Sequence, residues 1–158
     1  MSWEQECVEI VRVLINDISD VLKYEDCRLE RVLVVSATQL IQEVSFPTTY
    51  TISVAGATIS PDPTDDVRDT AFINLWCLKT ALMITSGEMR KYALAGIKVT
   101  DGPSTIDVSS AYNAIKGVYV DLQMKYEKER MLYQMGRSGQ SITTPSTYWD
   151  FTSGPLGD

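Results

Sequence analysis

Histidine is absent from this 158-residue chain. Its absence removes the commonest general base, the usual proton shuttle near neutral pH and the commonest transition-metal ligand. Cysteine is scarce, with Cys7, Cys27 and Cys77 far apart. An odd, scattered set fits neither a zinc-ligand spacing nor a disulfide framework. The three thiols are therefore expected as small buried apolar residues in a reducing compartment, with no metal and no cofactor. Basic residues are outnumbered, 14 Lys and Arg against 21 Asp and Glu, for a net charge of -7. Neutralising phosphates needs clustered cations, so a general nucleic-acid binder is excluded, though a passage through which DNA slides without sticking is compatible with this balance. Neither GxxxxGK[ST] nor GxGxxG occurs, so there is no phosphate loop. No apolar run reaches the ~20 residues of a membrane span. The opening MSWEQE has acids where a signal peptide has Lys or Arg. The expectation is a soluble chain made in the cytoplasm, without a membrane partner.

What is present is an ordinary globular composition, 44% hydrophobic and 22% charged. A domain of ~150 residues buries roughly 70% of its unfolded surface, so no covalent staple is needed. Ser2 and Gln5 have the spacing of a capping box. Cys7, Ile10, Val11, Leu14, Ile15 and Ile18 then recur at three and four, which predicts a helix over about 3–16. With Asp26 as its cap, a second helix is predicted over 26–45, buried along Leu29, Val32, Leu33, Ala37, Leu40, Ile41 and Val44 and stopped by Pro47. Val34 and Val35 widen that stripe, so this helix should be contacted on two sides. The period then changes to two: Tyr50, Ile52 and Val54 alternate with Thr and Ser, and 57–60 can return as a second strand after Gly56. Two strands alone are marginal, so this hairpin must rest on the helices or on another chain, and these three residues are candidate contacts with a neighbouring copy.

After the break at Pro61–Pro63, Thr64 or Asp65 is the expected cap of a third helix. Apolar residues surround it from 71 to 84, which predicts the centre of the core, and Gly87 is a candidate kink before the pattern runs on to Gly96. Residues 97–108 read as a loop with strand character. Ser109 or Ser110 then caps a last helix with Ala111, Ile115, Val118, Leu122, Tyr126 and Met131 on its face. The acids Asp62, Asp65, Asp66 and Asp69 lack the ligand spacing of a calcium loop and read as a solvated turn and cap. Ser104, Asp107, Ser109 and Ser110 have no His or nearby Lys to activate a nucleophile, so turn and cap chemistry is expected and an enzyme is not. Lys23, Arg28 and Arg31 read as surface charge, with an acidic partner surface as the alternative. Beyond residue 136, Gly, Ser, Thr and Pro dominate, yet Tyr148, Trp149 and Phe151 stand among them. Aromatics in a segment too poor in aliphatics to build its own core are expected as docking anchors. The predicted organisation is thus mainly α, a bundle of about four helices over 1–135 with a small β-hairpin inserted at about 47–60, and an extended docking tail at 136–158.

This order of elements, together with local wording, resembles the head-to-tail adaptor proteins of tailed bacteriophages, and virion structural proteins of marine and cyanobacterial phages in particular. The residues that carry the likeness are Glu6-Cys7-Val8-Glu9 leading to Leu14-Ile15-Asn16-Asp17, Leu29-Glu30-Arg31-Val32-Leu33, Val44-Ser45-Phe46-Pro47-Thr48-Thr49-Tyr50 and Ile59-Ser60-Pro61-Asp62-Pro63. Phe72-Ile73-Asn74-Leu75, Leu78-Lys79-Thr80-Ala81, Gly96-Ile97-Lys98-Val99-Thr100-Asp101-Gly102 and Tyr126-Glu127 extend it across about residues 3–135. The resemblance implies a homo-oligomeric ring, usually of twelve copies, beneath the portal protein at the capsid-to-tail neck of the virion. Such a ring extends the DNA channel and offers a platform to the next neck or tail protein. A stopper or terminator of the same neck, and a non-viral helical protein-binding subunit, remain open as alternatives. The former are usually richer in strand, and the latter has no use for an aromatic tail.

Overall fold

The computed structural model describes residues 2–65, 67–96 and 108–137. Among the described residues four helices, α1 (Trp3–Leu14), α2 (Asp26–Glu43), α3 (Thr70–Gly96) and α4 (Val108–Arg137), enclose one core, and a short hairpin, β1 (Thr51–Ser53) and β2 (Thr58–Ser60), stands between α2 and α3. The chain is mainly helical with a two-stranded antiparallel sheet, the predicted class. The strands pair Thr51 with Ser60, Ile52 with Ile59 and Ser53 with Thr58. The predicted loop over 97–108 and the tail lie outside the described residues, apart from Val108 and the last turn of α4.

The centre is α3, contacted by α1, α2 and α4. Phe72, Leu75, Trp76, Cys77, Leu78, Ala81 and Leu82 are all buried, as an all-round apolar helix requires. Polar groups in this interior are satisfied locally. Thr80 and Thr85 donate to the carbonyls of Trp76 and Ala81 one turn back, both at 2.8 Å. The Ser36 and Thr80 hydroxyls meet at 2.6 Å between α2 and α3. The Trp76 indole N–H donates to the Leu33 carbonyl at 2.6 Å. That bond lets the largest core side chain sit fully enclosed against Trp3 and Phe72, with ring centroids 5.3 Å away in each case. Gly87 lies within the continuous run of α3.

Helix ends depart from the expected caps because distant residues take over their roles. Ser2 makes no side-chain cap bond, so the Ser2–Gln5 box does not form. The Trp3 N–H instead donates to the Asp62 carboxylate at 3.4 Å, putting a negative charge from the inter-helix turn at the positive end of α1. Asp62 also accepts from the backbone N–H and hydroxyl of Thr64, at 2.8 and 2.7 Å. Thr64 and Asp65 precede α3 without capping it; Asp69 does so, accepting from the Phe72 N–H at 3.0 Å. Asp26 is the first residue inside α2 and not its cap, and the last helix already contains Ser109 and Ser110. Cys27 is exposed, unlike Cys7 and Cys77. Ile18, Ile41, Val118 and Met131 are also exposed, so the stripes drawn through them were too wide.

The close of α1 is the most tightly specified joint. Asn16 takes a left-handed φ of 57°. The N–H of Asp17 reaches the Arg12 carbonyl at 2.8 Å and that of Asn16 the Val13 carbonyl at 3.2 Å, which is a Schellman closure. Where that motif ordinarily carries an apolar contact, this chain has an ion pair: Arg12 Nη1 donates to Asp17 Oδ2 at 2.8 Å, with both side chains 5% exposed. Asp17 also accepts from the backbone N–H groups of Lys23 at 2.8 Å and Tyr24 at 3.3 Å. Arg12 Nη2 reaches the Tyr24 carbonyl at 2.8 Å and the Asp26 carboxylate. The buried side of α1 is accordingly Trp3, Cys7, Val8, Val11 and Arg12, with Ile10, Leu14 and Ile15 only half-buried.

Two outcomes are expected in urea unfolding of the purified chain. Leu78→Ala should destabilise by ~2–5 kcal/mol, as for a truncated core leucine. Asp17→Ala leaves the Arg12 charge buried and should cost about 3–5 kcal/mol. A change below about 0.5 kcal/mol in either, a surface-like value, contradicts the placement.

Candidate functional site

Three buried tyrosines each donate a hydrogen bond from the phenol to a carboxylate elsewhere in the fold. Tyr24, in the segment between α1 and α2, donates to Glu88 of α3. Tyr50, at the foot of the hairpin, donates to Asp69 at 2.9 Å. Tyr126 of α4 donates to Glu43 at the end of α2, at 2.5 Å. Burial, then the adjacent carboxylate, pushes all three phenols well above their ordinary range, so they remain protonated donors throughout the physiological pH range.

The Tyr126 contact lies in a cleft of about 460 Å³ between α2, α3 and α4. Lys79 donates to the second Glu43 oxygen at 2.6 Å, and its ammonium stands 5.2 Å from the centre of the Tyr126 ring. Arg130, paired with Glu127 at 2.5 Å, covers the same ring at 5.9 Å. Burial alone pushes the Glu43 carboxyl up, but the bonds from Lys79 and Tyr126 and the charges of Lys79 and Arg130 outweigh it and hold it below its ordinary value. Cation and carboxylate are thus mutually neutralised, and Tyr126 is kept protonated. The cleft fastens α4 to α2 and α3.

The two buried thiols, Cys7 and Cys77, lie side by side between α1 and α3. Cys77 is held protonated far above the usual thiol range by its neighbour Cys7 and by burial. Among the described residues no group of three or more Cys, Asp or Glu is arranged to hold a metal ion, and no helix is long and apolar enough to cross a membrane.

The outside of α4 carries exposed apolar residues. Leu122 and Tyr126 are buried on its inner side, with Tyr119 and Tyr133 half-buried against the core. Val120, Met124 and Met131 are 42%, 60% and 58% exposed. Spacings of four and seven put them on a single arc, and rotation at 100° per residue sets that arc opposite Leu122 and Tyr126. Leu132, 54% exposed, lies on the flank between this arc and the buried side. A helix with apolar residues on two opposite sides has room for a second partner.

The hairpin residues fare differently from one another. Tyr50 is buried in its own chain, stacked on Phe72 with centroids 4.1 Å apart, so its ring is not free for a neighbour. Ile52 is half-buried against the core and Val54, in the turn, is 54% exposed. The hairpin therefore rests on its own helices, with Val54 alone of the three presented outward. The anchors Tyr148, Trp149 and Phe151 lie outside the described residues. Sequence reading missed Arg12, Asp17 and the outer arc of α4. The signal for the first was an arginine beside Val8 and Val11 on the buried side of α1, and for the last a four-and-seven repeat of Val and Met.

The chain matches no family model, no curated protein and no solved structure.

Protonation of Glu43 has a predictable sign. Its carboxyl is depressed in the folded chain, so the stabilisation is complete above the ordinary carboxylate value and is lost as pH falls through the depressed one. Thermal melts should show wild type more stable than Glu43→Gln at pH 7, with the gap closing as the pH is lowered to 3. A gap that does not change with pH contradicts the assignment.

Proposed function

We propose that this chain is a structural assembly subunit, a head-to-tail adaptor of a tailed bacteriophage virion. In this reading it forms a ring, of about twelve copies by the family resemblance, beneath a portal protein. The observation that supports the assembly role is the second apolar face of α4, exposed at Val120, Met124 and Met131 on a helix whose inner side is already occupied. Such a face is out of place on a solitary domain and suits one that is completed by other chains. The fold adds support of a general kind: two helices, a hairpin, a central helix and a long last helix follow the element order on which the adaptor resemblance rests. The acidic balance suits a channel that genomic DNA crosses without being gripped.

The tail anchors Tyr148, Trp149 and Phe151 are assigned to the contact with the portal or an adjoining subunit. A downstream neck or tail protein takes the opposite end of the ring, and the site of action is the capsid-to-tail neck. Mass determination and negative-stain imaging with a portal protein should give a ring attached to the portal. Truncation after Arg137 should abolish that attachment, and replacing one anchor by Ala should weaken it by about 1–3 kcal/mol. A chain that stays monomeric with and without portal rules out the adaptor reading; a truncated chain that attaches as well as the full one rules out the tail as anchor.

A further inference from the structure

We infer that in the free subunit the outer face of α4 is covered by the chain's own C-terminal segment, with Trp149 and its neighbours Tyr148 and Phe151 seated on Met124 and Met131. This goes beyond the adaptor reading and does not depend on it.

The acceptor has a chemistry of its own. Val120, Met124 and Met131 share one arc of α4, away from the core. Methionine is unbranched and polarisable. It adapts to the shape of whatever covers it and makes favourable sulfur contacts with aromatic rings. Two exposed charges flank them, Glu127 on one side of the arc and Lys128 on the other.

The occupant begins where the helix ends. Residues 138–158 follow α4 directly and contain no Lys or Arg, while Asp150 lies inside the Tyr148-Trp149-Asp150-Phe151 cluster. An aromatic cluster complements a methionine arc, and its Asp150 carboxylate has the flanking Lys128 as a counter-charge. Reach is sufficient. Trp149 lies twelve residues beyond Arg137, up to ~40 Å of extended chain at ~3.3–3.6 Å per residue. The helix from Arg137 back to Val120 is seventeen residues, about 26 Å at about 1.5 Å each. The excess leaves length for the reversal, and Gly139 stands near the point where the chain must turn back.

Mass action selects the chain's own segment over that of a second copy. A short tether holds its end at an effective concentration of order millimolar, far above ordinary protein concentrations. The contact shields the methionine arc and the aromatic anchors together. A partner that binds the anchors thereby uncovers α4, so docking at one place exposes a second surface.

The test uses the isolated full-length chain at micromolar concentration, without portal, so that its result is independent of ring formation. A photoreactive p-benzoylphenylalanine is placed at position 149 in an equal mixture of light and isotopically heavy chains, and cross-linked peptides are identified by mass spectrometry. The expected links join position 149 to residues 120–132 within one chain, light to light and heavy to heavy. Met124→Lys with Met131→Lys, both at exposed positions, should reduce them at least tenfold while the helical circular dichroism is unchanged. As a second readout, the Trp149 emission, taken as the difference between wild type and Trp149→Phe, should lie to the blue of solvent-exposed tryptophan and move to the red in the double variant. Links between light and heavy chains assign the arc to a second copy. Links confined to other regions, or no links together with a solvent-like Trp149 emission, leave the arc uncovered by the tail. Any of these overturns the inference.

Discussion

Arg12 is a cation enclosed where α1, the following loop and α2 converge, and a charge in that position is tolerable only if every part of its guanidinium is answered. Asp17 supplies the counter-charge, and the Tyr24 carbonyl and Asp26 carboxylate take the other nitrogen. The attraction between such groups roughly offsets the loss of their hydration, so their main effect is on geometry: removing either partner is far more damaging than the pair is stabilising. Because Asp17 also binds the amides of Lys23 and Tyr24, the loop returns along one path. That path delivers Tyr24 to Glu88 and starts α2 at Asp26 beside α1. The orientation of α2, and with it the groove that receives α3, follows from this joint.

Around α3 the same solution recurs in neutral form. Each of Tyr24, Tyr50 and Tyr126 places an aromatic ring in the packing and a hydroxyl on a carboxylate of another element. Burial raises the phenol and so keeps the proton on the tyrosine, which makes the contact a charge-assisted hydrogen bond and not a pair of competing anions. Three such ties join the α1–α2 segment to α3, the hairpin to the start of α3, and α4 to α2. With α1 and α2 already on α3, they account for how a short hairpin and a long terminal helix are held to one body.

What is left outward is apolar surface in particular places: Val54 at the hairpin turn, Ile18, Val21 and Leu22 between α1 and α2, and the arc on α4. The proposed assembly role rests on these outward apolar residues.

Most of the secondary structure was legible because helical and strand periods depend on residues two to four apart. The runs through Leu29, Leu33, Ala37 and Leu40, and through Leu75, Leu78, Ala81 and Leu82, marked buried helices correctly, and the strict alternation after Thr49 marked the first strand. Composition by itself removed histidine chemistry. The tertiary structure alone decided which end groups act as caps and which face of each element is inside. Trp3 is served by Asp62 and Tyr126 by Glu43, partners 59 and 83 residues away that no local period encodes. The stripe on α1 turned toward Arg12 because a buried charge goes where its counter-ion can reach it. Ile18, Val118 and Met131 satisfied a helical spacing yet ended outside, since spacing states which residues share a face and only packing determines which face is covered.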